Sequence, residues 1–395
     1  MKGNITRRGK TSWRLKFDVG RDSAGARKIR FVTVRGKRAD AEAKLAELVD
    51  AFNKGTYVEP SKATVADHVR ARVAQWEASR QINPKAGISR RTAERYHELI
   101  DGQIDPYLGA KPIQKLRAAD IEAWHMRLLV SGRRDGKGGL SVGTVKSAHR
   151  LLSQCLNDAV RFDLVVRNVA AVQKAPKADA EEVAILDADQ VRMVLAGLCG
   201  RTLYPIVTTA VYTGMRRCEV LALRWGNVDL DAKPAVIRVR EALEETKSDG
   251  VRFKAPKTSA GRRDITLPDI VVVALRAHRR QQLELRLALG VGGKLPDDSL
   301  VFANPEGGPR SPNAVTHEWS EFAAGLGLDV TFHALRHTHA SDLISKGIPI
   351  TMISKRLGHS NPKVTLAVYS HMFEKTDAKA AEAINTALAS LGQPS

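Results

Sequence analysis

The chain has 395 residues, of which 43% are hydrophobic, and this length exceeds what one hydrophobic core usually organises, so two or three domains are expected. Lysine and arginine (63) outnumber aspartate and glutamate (43), and the net charge of +20 suits a polyanionic partner, either nucleic acid or an anionic membrane surface. No apolar run approaches the ~20 residues of a membrane span and the N-terminus lacks the apolar stretch of a signal peptide, so we expect a soluble, cytoplasmic protein.

The first 40 residues hold half of the charge excess, with 13 lysines and arginines against three acids. Two segments that alternate apolar and polar residues, 13–19 and 28–34, flank a turn of glycine, aspartate and serine, and they predict a β-hairpin with basic side chains on one face. A helical pattern follows over 38–54. We expect a small sheet packed on one helix as a separate module, 1–60, although a solvated edge hairpin is the alternative.

The next segment, 62–172, has the apolar spacing of helices throughout, as at Ile121, Trp124 and Leu128, and predicts a helical bundle. The basic residues of its loops could clamp a phosphate backbone or could simply keep these loops soluble. Residues 173–183 have no apolar face and predict a linker. The last domain, 184–395, is predicted to be mixed and mainly helical, with a helix cap at Asp187 and a strand pair near Val236–Arg240 and Arg263–Leu267.

Two segments place an arginine among apolar residues of a predicted helix. In Thr213–Leu223, Arg216 and Glu219 are one turn apart on the predicted buried stripe, so Glu219 can orient the guanidinium towards an anion, although a structural ion pair is an equal alternative. In Thr331–His339, His333 and Arg336 share a face with His337. Metal binding is the rival there, but Arg336 would repel a cation and no HExxH pattern is present.

Two further segments are weaker when each is taken alone. Lys257 lies in a turn-rich basic stretch that enters a short strand, which is also typical of a surface hairpin. Tyr369 follows His359 by ten residues, after a helix end at Gly358, and a lone tyrosine of this kind is usually a packing residue.

Taken in order, the four motifs TGMRRCE, PKTSAGRRDITLP, HALRH and LGHSNPKVTLAVY resemble the active-site boxes of the tyrosine recombinase (phage integrase) family. The resemblance covers roughly 62–390. It implies a multi-domain, mainly α protein with small β-sheets, in which 62–172 is a core-binding domain and 184–395 the catalytic domain. More weakly, 1–60 resembles an arm-type DNA-binding module, a three-stranded sheet plus helix. The matching catalytic positions are Arg216, Lys257, His333, Arg336, His359 and Tyr369.

The resemblance implies the role of each position. Arg216 and Arg336 stabilise the transition-state phosphate, and Lys257 protonates the departing 5′ oxygen. His333 and His359 assist phenol deprotonation or contact the phosphate, and the resemblance does not say which histidine has which role. Tyr369 attacks and forms a 3′-phosphotyrosyl link, which conserves bond energy, so no cofactor, metal or ATP is expected.

The implied partners are double-stranded DNA with core-type and arm-type sites, further copies in a homotetramer, and accessory excisionase and host DNA-bending proteins, with no membrane. The protein would integrate and excise a phage or mobile element near the nucleoid of a bacterial host. The helical tail Met372–Leu391 could dock on a neighbouring protomer or pack on its own domain.

Two rivals remain at this point. A non-catalytic DNA-binding regulator is suggested by the helix, turn and helix pattern of 341–354, but it would not need Tyr369. A type IB topoisomerase would share the chemistry without synapsis of two sites, and the arm-like N-terminus argues against it.

Overall fold

The computed structural model describes residues 3–21, 25–83, 86–177, 184–256, 258–373, 381–382 and 384–386. The chain divides into two units, Met1–Asp179 and Ala180–Ser395, which are taken in turn. The finer division into three domains and a linker remains a prediction, and part of that linker, 178–183, lies outside the described residues.

The first unit begins with a three-stranded antiparallel sheet, β1 to β3, followed by helix α1. The bounds are β1 Asn4–Gly9, β2 Ser12–Arg21, β3 Arg27–Arg35 and α1 Arg38–Asn53. The alternation in β2 buries Leu15 and Phe17 and leaves Lys16 between them exposed. The predicted hairpin and helix are confirmed, and β1 adds the third strand at the free edge of β2.

The rest of the first unit is helical, as predicted. Its helices are α2 Val65–Ile82, α3 Arg90–Leu99, α4 Ala118–Ser131, α5 Val142–Arg161 and α6 Val169–Val172, with π-type turns over Ile100–Gly109. Thr64 caps α2, because its side chain accepts from the backbone N–H of Asp67. The Asp67 carboxylate in turn accepts from the backbone N–H of Thr64. Ile121, Trp124 and Leu128 are buried together on the inner face of α4, which is the face that the sequence spacing predicted.

The second unit is mainly helical with two small antiparallel sheets. Its helices are α7 Ala188–Leu198, α8 Tyr204–Thr213, α9 Arg217–Leu221, α10 Asp269–Ala288, α11 Pro312–Gly325, α12 Phe332–Ser345, α13 Ile350–Leu357 and α14 Pro362–Phe373. Its strands are β4 Val228–Asp229, β5 Val236–Val239, β6 Ala242–Thr246, β7 Gly250–Lys254 and β8 Arg263–Thr266.

The sheets of the second unit are ordered β4-β5-β8 and β6-β7. The predicted pairing of β5 with β8 and the cap of α7 at Asp187 are confirmed, whereas the β6-β7 hairpin was not predicted from the sequence. Most of the predicted tail helix, Met372–Leu391, lies outside the described residues. Among the helices that the structure describes, none is long and apolar enough to cross a membrane.

Candidate active site

Arg216 lies at the N-terminal end of α9, where it is held by Glu219. Gly214 ends α8 in the left-handed region at φ 66°, so the chain leaves one helix and enters a second, much shorter one. The backbone N–H of Arg216 donates to Glu219 Oε2 over 3.0 Å, and Arg216 Nη1 donates to Oε1 over 2.7 Å. The predicted contact between these two residues is therefore confirmed.

The predicted position of Arg216 on the buried stripe of a helix is wrong. Arg216 has extended backbone geometry and precedes the helix, which ends at Leu221, and its side chain is 40% exposed. The reason is the left-handed turn at Gly214, two residues before Arg216, which ends the preceding helix and changes the chain direction. The guanidinium is thereby placed at an open surface.

Glu219 is buried and is shared with a second arginine from a distant part of the chain. Arg263 Nη2 donates to Glu219 Oε2 over 2.9 Å, and both side chains are almost inaccessible. Burial favours the neutral acid, but the opposite charges of Arg263 and Arg216 outweigh it and hold the pKa of Glu219 below its usual value. The carboxylate is thus an ionised link between α9 and β8.

Arg336, on α12, is 3% exposed and contacts no carboxylate among the described residues. Its Nη1 donates to the Gly214 carbonyl over 2.6 Å, and its Nη2 to the Leu357 carbonyl over 2.8 Å. Burial and the positive charge of Arg216 lower the pKa of Arg336 to about 9, so the guanidinium is still charged at neutral pH. Thr331 is the residue that precedes α12, at its N-cap position, and its side chain makes no capping hydrogen bond.

His359 follows α13, which ends at Gly358 as predicted. Arg336 Nη2 lies 2.8 Å from His359 Nε2, and because a guanidinium can only donate, Nε2 accepts and Nδ1 carries the proton. Nδ1 in turn donates to Thr365 Oγ1 over 2.8 Å. Burial and Arg336 lower the pKa of His359 to about 4, so this ring is neutral near pH 7.

Tyr369 is on α14 and is 3% exposed, packed against apolar residues such as Ile353 and Leu357. Its hydroxyl oxygen lies 2.6 Å from Nδ1 of His337, which is one turn of α12 beyond His333. The His337 ring packs edge-on against that of His333, with centroids 4.7 Å apart. Burial raises the pKa of Tyr369 to about 12 and, with the charge of Arg336, lowers that of His337 to about 4, so we assign the hydroxyl as donor and Nδ1 as acceptor.

An open cavity of about 660 Å³ adjoins these residues. Arg216, His333 and His359 line it, whereas Arg336 and Tyr369 do not. His333 is exposed there, and desolvation together with Arg336 and Arg216 lowers its pKa. The predicted residue Lys257 lies outside the described residues, but its flanking residues Pro256 and Thr258 line the same cavity.

The site contains more buried positive charge than its own acids balance. Besides Arg216, Arg263 and Arg336, Arg356 donates from Nε to His339 Nε2 over 3.0 Å and from Nη2 to backbone carbonyls. Within the described residues, Glu219 is the carboxylate that forms ion pairs with this group. A surplus of guanidinium charge beside a cavity is the arrangement expected for binding an anion such as phosphate.

Three residues of this site were not assigned a role from the sequence: Arg263, Arg356 and His337. For Arg263 a signal was present, since Arg263, Ile265 and Leu267 alternate with exposed residues and all three are buried. An arginine on the inner face of a strand requires a buried partner. No three histidine, cysteine, aspartate or glutamate side chains are grouped as metal ligands within the described ranges.

The comparisons with known proteins agree with the motif resemblance. Residues 184–376 match the model described as "Phage integrase family", and 83–129 match "Phage integrase, N-terminal SAM-like domain". A tyrosine recombinase XerC-like protein of Caldanaerobacter subterraneus subsp. tengcongensis is 24% identical over 97% of this chain and 98% of its own length. An integrase of Streptomyces ambofaciens is 29% identical over 90% of this chain and 88% of its own.

Two solved structures share the fold. The Tn1549 transposon integrase, in complex with a circular intermediate DNA, has a TM-score of 0.67 at 20% identity over 81% of this chain and 99% of that chain. The lambda integrase tetramer bound to a Holliday junction has a TM-score of 0.51 at 19% identity over 91% of this chain and 96% of that chain. The chain therefore belongs to the phage integrase family of tyrosine recombinases.

Proposed function

We propose that this chain is a site-specific DNA recombinase that cleaves and rejoins DNA through a covalent 3′-phosphotyrosyl intermediate on Tyr369. It would integrate and excise a phage or another mobile element. The observation that carries the proposal is the surplus of guanidinium charge around Glu219 and the cavity, within one unit that also buries the Tyr369 phenol. A duplex DNA phosphate is the anion that such a site would take.

The cleavage step is a phosphoryl transfer. The Tyr369 oxygen attacks the phosphorus, the new bond to the tyrosine forms, and the bond from phosphorus to the 5′ oxygen breaks. Arg216, at the cavity wall, and Arg336, whose contacts include His359, would stabilise the charge that develops on the non-bridging oxygens. Lys257 would give its proton to the departing 5′ oxygen, leaving a free 5′ hydroxyl.

The contacts in the resting protein favour a division of labour between the histidines. His337 accepts from the Tyr369 hydroxyl, so it is the group placed to take up the phenol proton, with His333 beside it facing the cavity. His359 is bound to Arg336, so we assign it to the phosphate side of the reaction. Because Tyr369 is buried and does not line the cavity, α14 must shift before attack.

The intermediate explains why no external energy source is proposed. The phosphotyrosyl bond replaces the phosphodiester bond that was broken, and attack by the 5′ hydroxyl of a partner strand restores a phosphodiester and frees Tyr369. No ATP and no metal ion are therefore required in this scheme, and cleavage is expected to persist in an excess of EDTA.

The proposed partners follow the family. Duplex core sites would be held by 62–172 and 184–395, and arm-type sites by 1–60. The sheet of 1–60 exposes Lys16 and Phe31 and partly exposes Arg14, whose guanidinium lies 3.9 Å from the centre of the Phe31 ring. A homotetramer on two synapsed sites would match the assembly named for the lambda structure. An excisionase and a host DNA-bending protein are further proposed partners.

Covalent trapping tests the proposal. A core site is first recovered by binding-site selection with the full chain and is placed in a nicked duplex. Cleavage of this duplex releases a short strand, so the protein stays covalently attached to the DNA. The wild-type chain is expected to form an adduct that survives denaturation, Tyr369→Phe none, and Tyr204→Phe the wild-type amount. DNA binding without any adduct in the wild type would favour the regulator instead.

A second assay separates recombination from simple relaxation. Two recovered sites on one supercoiled plasmid are expected to give recombined products that depend on Tyr369. Relaxation of plasmids that lack a site, without recombined products, would favour a type IB topoisomerase. It would overturn the proposal of site-specific recombination.

A further inference from the structure

Arg263 connects three separate segments of the site from a buried position. Its side chain is 6% exposed. Nη2 donates to Glu219 Oε2 over 2.9 Å, Nε to the Arg356 carbonyl over 2.6 Å, and Nη1 to the Gly261 carbonyl over 3.2 Å. These acceptors lie on α9, at the end of α13 and in the turn that enters β8, respectively.

Each contact fixes a group that the proposed reaction uses. Glu219 holds both the backbone N–H and the guanidinium of Arg216. Gly261 closes the short turn, Ser259–Gly261, that follows the Lys257 segment. The Arg356 carbonyl belongs to the last turn of α13, three residues before His359. One guanidinium thus sets the spacing between the cavity wall at Arg216, the basic turn and the histidine.

The close approach at Gly358 shows how tightly these segments meet. A Cβ atom on Gly358 would lie 2.8 Å from Arg263 Nη1 and 2.9 Å from the Ala260 carbonyl oxygen. Gly358 also has φ of 70°, a region that side chains strain to adopt. The fold therefore keeps a glycine where the Arg263 side chain and the basic turn approach the end of α13.

We propose that Arg263 is a positioning residue for DNA cleavage, which acts by holding Glu219 so that Arg216 is fixed at the cavity wall. This rests on the proposed function of the site. A planar guanidinium reaches three acceptors in different directions, whereas lysine has one nitrogen, so the two are not equivalent here. An apolar residue would leave Glu219 with Arg216 as its remaining ion-pair partner among the described residues, and that arginine is 40% exposed.

The pH dependence of cleavage distinguishes positioning from simple packing. The charged groups that act on Glu219 are Arg216, which directly precedes α9, Arg263 from β8 and Arg336 from α12. Without Arg263, burial raises the pKa of Glu219 relative to the wild type. As pH falls, the carboxyl group then becomes neutral earlier and releases Arg216, so cleavage is lost at a higher pH than in the wild type.

The test uses the full chain, a nicked core-site duplex at saturating concentration, and single-turnover adduct formation from pH 5.5 to 8.5. Arg263→Met is expected to cleave about 10²-fold more slowly with unchanged DNA affinity, and to show a new acid limb. In Arg263→Met combined with Glu219→Gln the acid limb is expected to vanish. Arg263→Lys keeps the charge and tests the proposal if the methionine variant does not fold. Its cleavage rate should lie between those of the wild type and Arg263→Met.

Arg262→Met is the matched control, because Arg262 is the adjacent arginine, directly before β8, and is exposed. It is expected to cleave at the wild-type rate when DNA is saturating. The positioning role would be overturned by an Arg263→Met rate and pH profile equal to those of the wild type. It would also be overturned if cleavage and DNA binding declined together without an acid limb. A wild-type chain that forms no adduct would instead overturn the proposed function itself.

Discussion

Each of the two units buries an arginine beside a carboxylate, and the two clusters differ in how their charges balance. In the first unit, Arg72 on α2 donates from Nε and Nη2 to Asp158 Oδ2 over 2.9 and 2.6 Å, with the side chains 11% and 10% exposed. Asp158 also lies 3.4 Å from Arg161 Nη1, but that arginine is 77% exposed, so one buried cation there meets one buried anion. In the second unit, Glu219 serves both Arg216 and Arg263, whereas the contacts of Arg336 among the described residues are two carbonyls and an imidazole.

In the first cluster the buried charges balance each other, whereas in the second an anionic ligand would be needed to balance them. A buried pair such as Arg72–Asp158 contributes to its own fold and has no need of an external ion. A cluster with surplus guanidinium charge is electrostatically unfavourable until an anion enters, and the gain on binding is correspondingly large. The same residue type thus has a structural role in one unit and, we propose, a catalytic one in the other.

The largest expected effect on stability is in the first unit. Arg72→Met leaves the buried Asp158 carboxylate with Arg161, whose side chain is 77% exposed, and should lower the local free energy of unfolding by about 3–5 kcal/mol. Hydrogen exchange of α2 and α5 peptides in the full chain measures it. Arg80→Met, an exposed arginine on the same helix, is the control and should change exchange little. Equal exchange in both variants would remove the distinction between the clusters.

Arg336→Met should give the reverse pattern in the second unit. Losing one stabilising guanidinium is expected to slow single-turnover adduct formation about 10²- to 10³-fold. Stability should fall less than in Arg72→Met, because relief of buried charge offsets the two unpaired carbonyls of Gly214 and Leu357. Adduct formation and α12 hydrogen exchange report the two effects. A variant that cleaves normally but unfolds easily would contradict the comparison.

A histidine pair makes the first unit sensitive to acid. His125 Nε2 and His149 Nδ1 lie 3.1 Å apart and are buried, and burial with the neighbouring charge lowers the pKa of His125 to about 4. The unfolded chain binds protons near pH 6.5 and the folded unit does not, so stability falls as pH drops from 6.5 towards 4, by up to about 3 kcal/mol.

Hydrogen exchange of α4 and α5 between pH 7 and 4.5, corrected for intrinsic exchange, measures this loss. The double variant His125→Phe with His149→Leu should flatten it, while His97→Gln, at a more exposed histidine, should not. A pH dependence unchanged in the double variant would assign the acid sensitivity to other groups.

The smallest expected effect is that of inorganic phosphate at constant ionic strength. Phosphate should protect α9 and α12 against hydrogen exchange by about 1.4 kcal/mol near ten times its dissociation constant, and leave the Arg72–Asp158 helices unchanged. Arg216→Met should abolish this protection. Equal protection of both units would indicate a general salt effect rather than an incomplete cation cluster.

The sequence predicted much of this molecule because several features are local. Alternation of apolar residues predicted β2 and β3, helical spacing predicted α2 and α4, and Asp187 and Gly358 marked helix ends correctly. The motifs also predicted which distant residues share one site, since Arg216, His333 and His359 line one cavity.

The remaining features depend on contacts between residues far apart in the chain. Periodicity could not show that the turn at Gly214 would leave Arg216 outside its helix, or that Glu219 would be shared with Arg263, 44 residues later. Likewise, the contact of His337 with Tyr369 spans 32 residues and depends on how α14 packs against α12. Such contacts are set by tertiary packing, which local patterns do not encode.

If Tyr369 is the nucleophile, it is the residue that carries the DNA after cleavage, and identifying the modified residue tests this directly. The full chain would be trapped on the nicked core-site duplex, digested with nuclease and protease, and the peptides mapped by mass spectrometry. We expect a nucleotide attached through phosphate to Tyr369 and to no other tyrosine. A nucleotide on a different residue, or an adduct that persists in Tyr369→Phe, would contradict it.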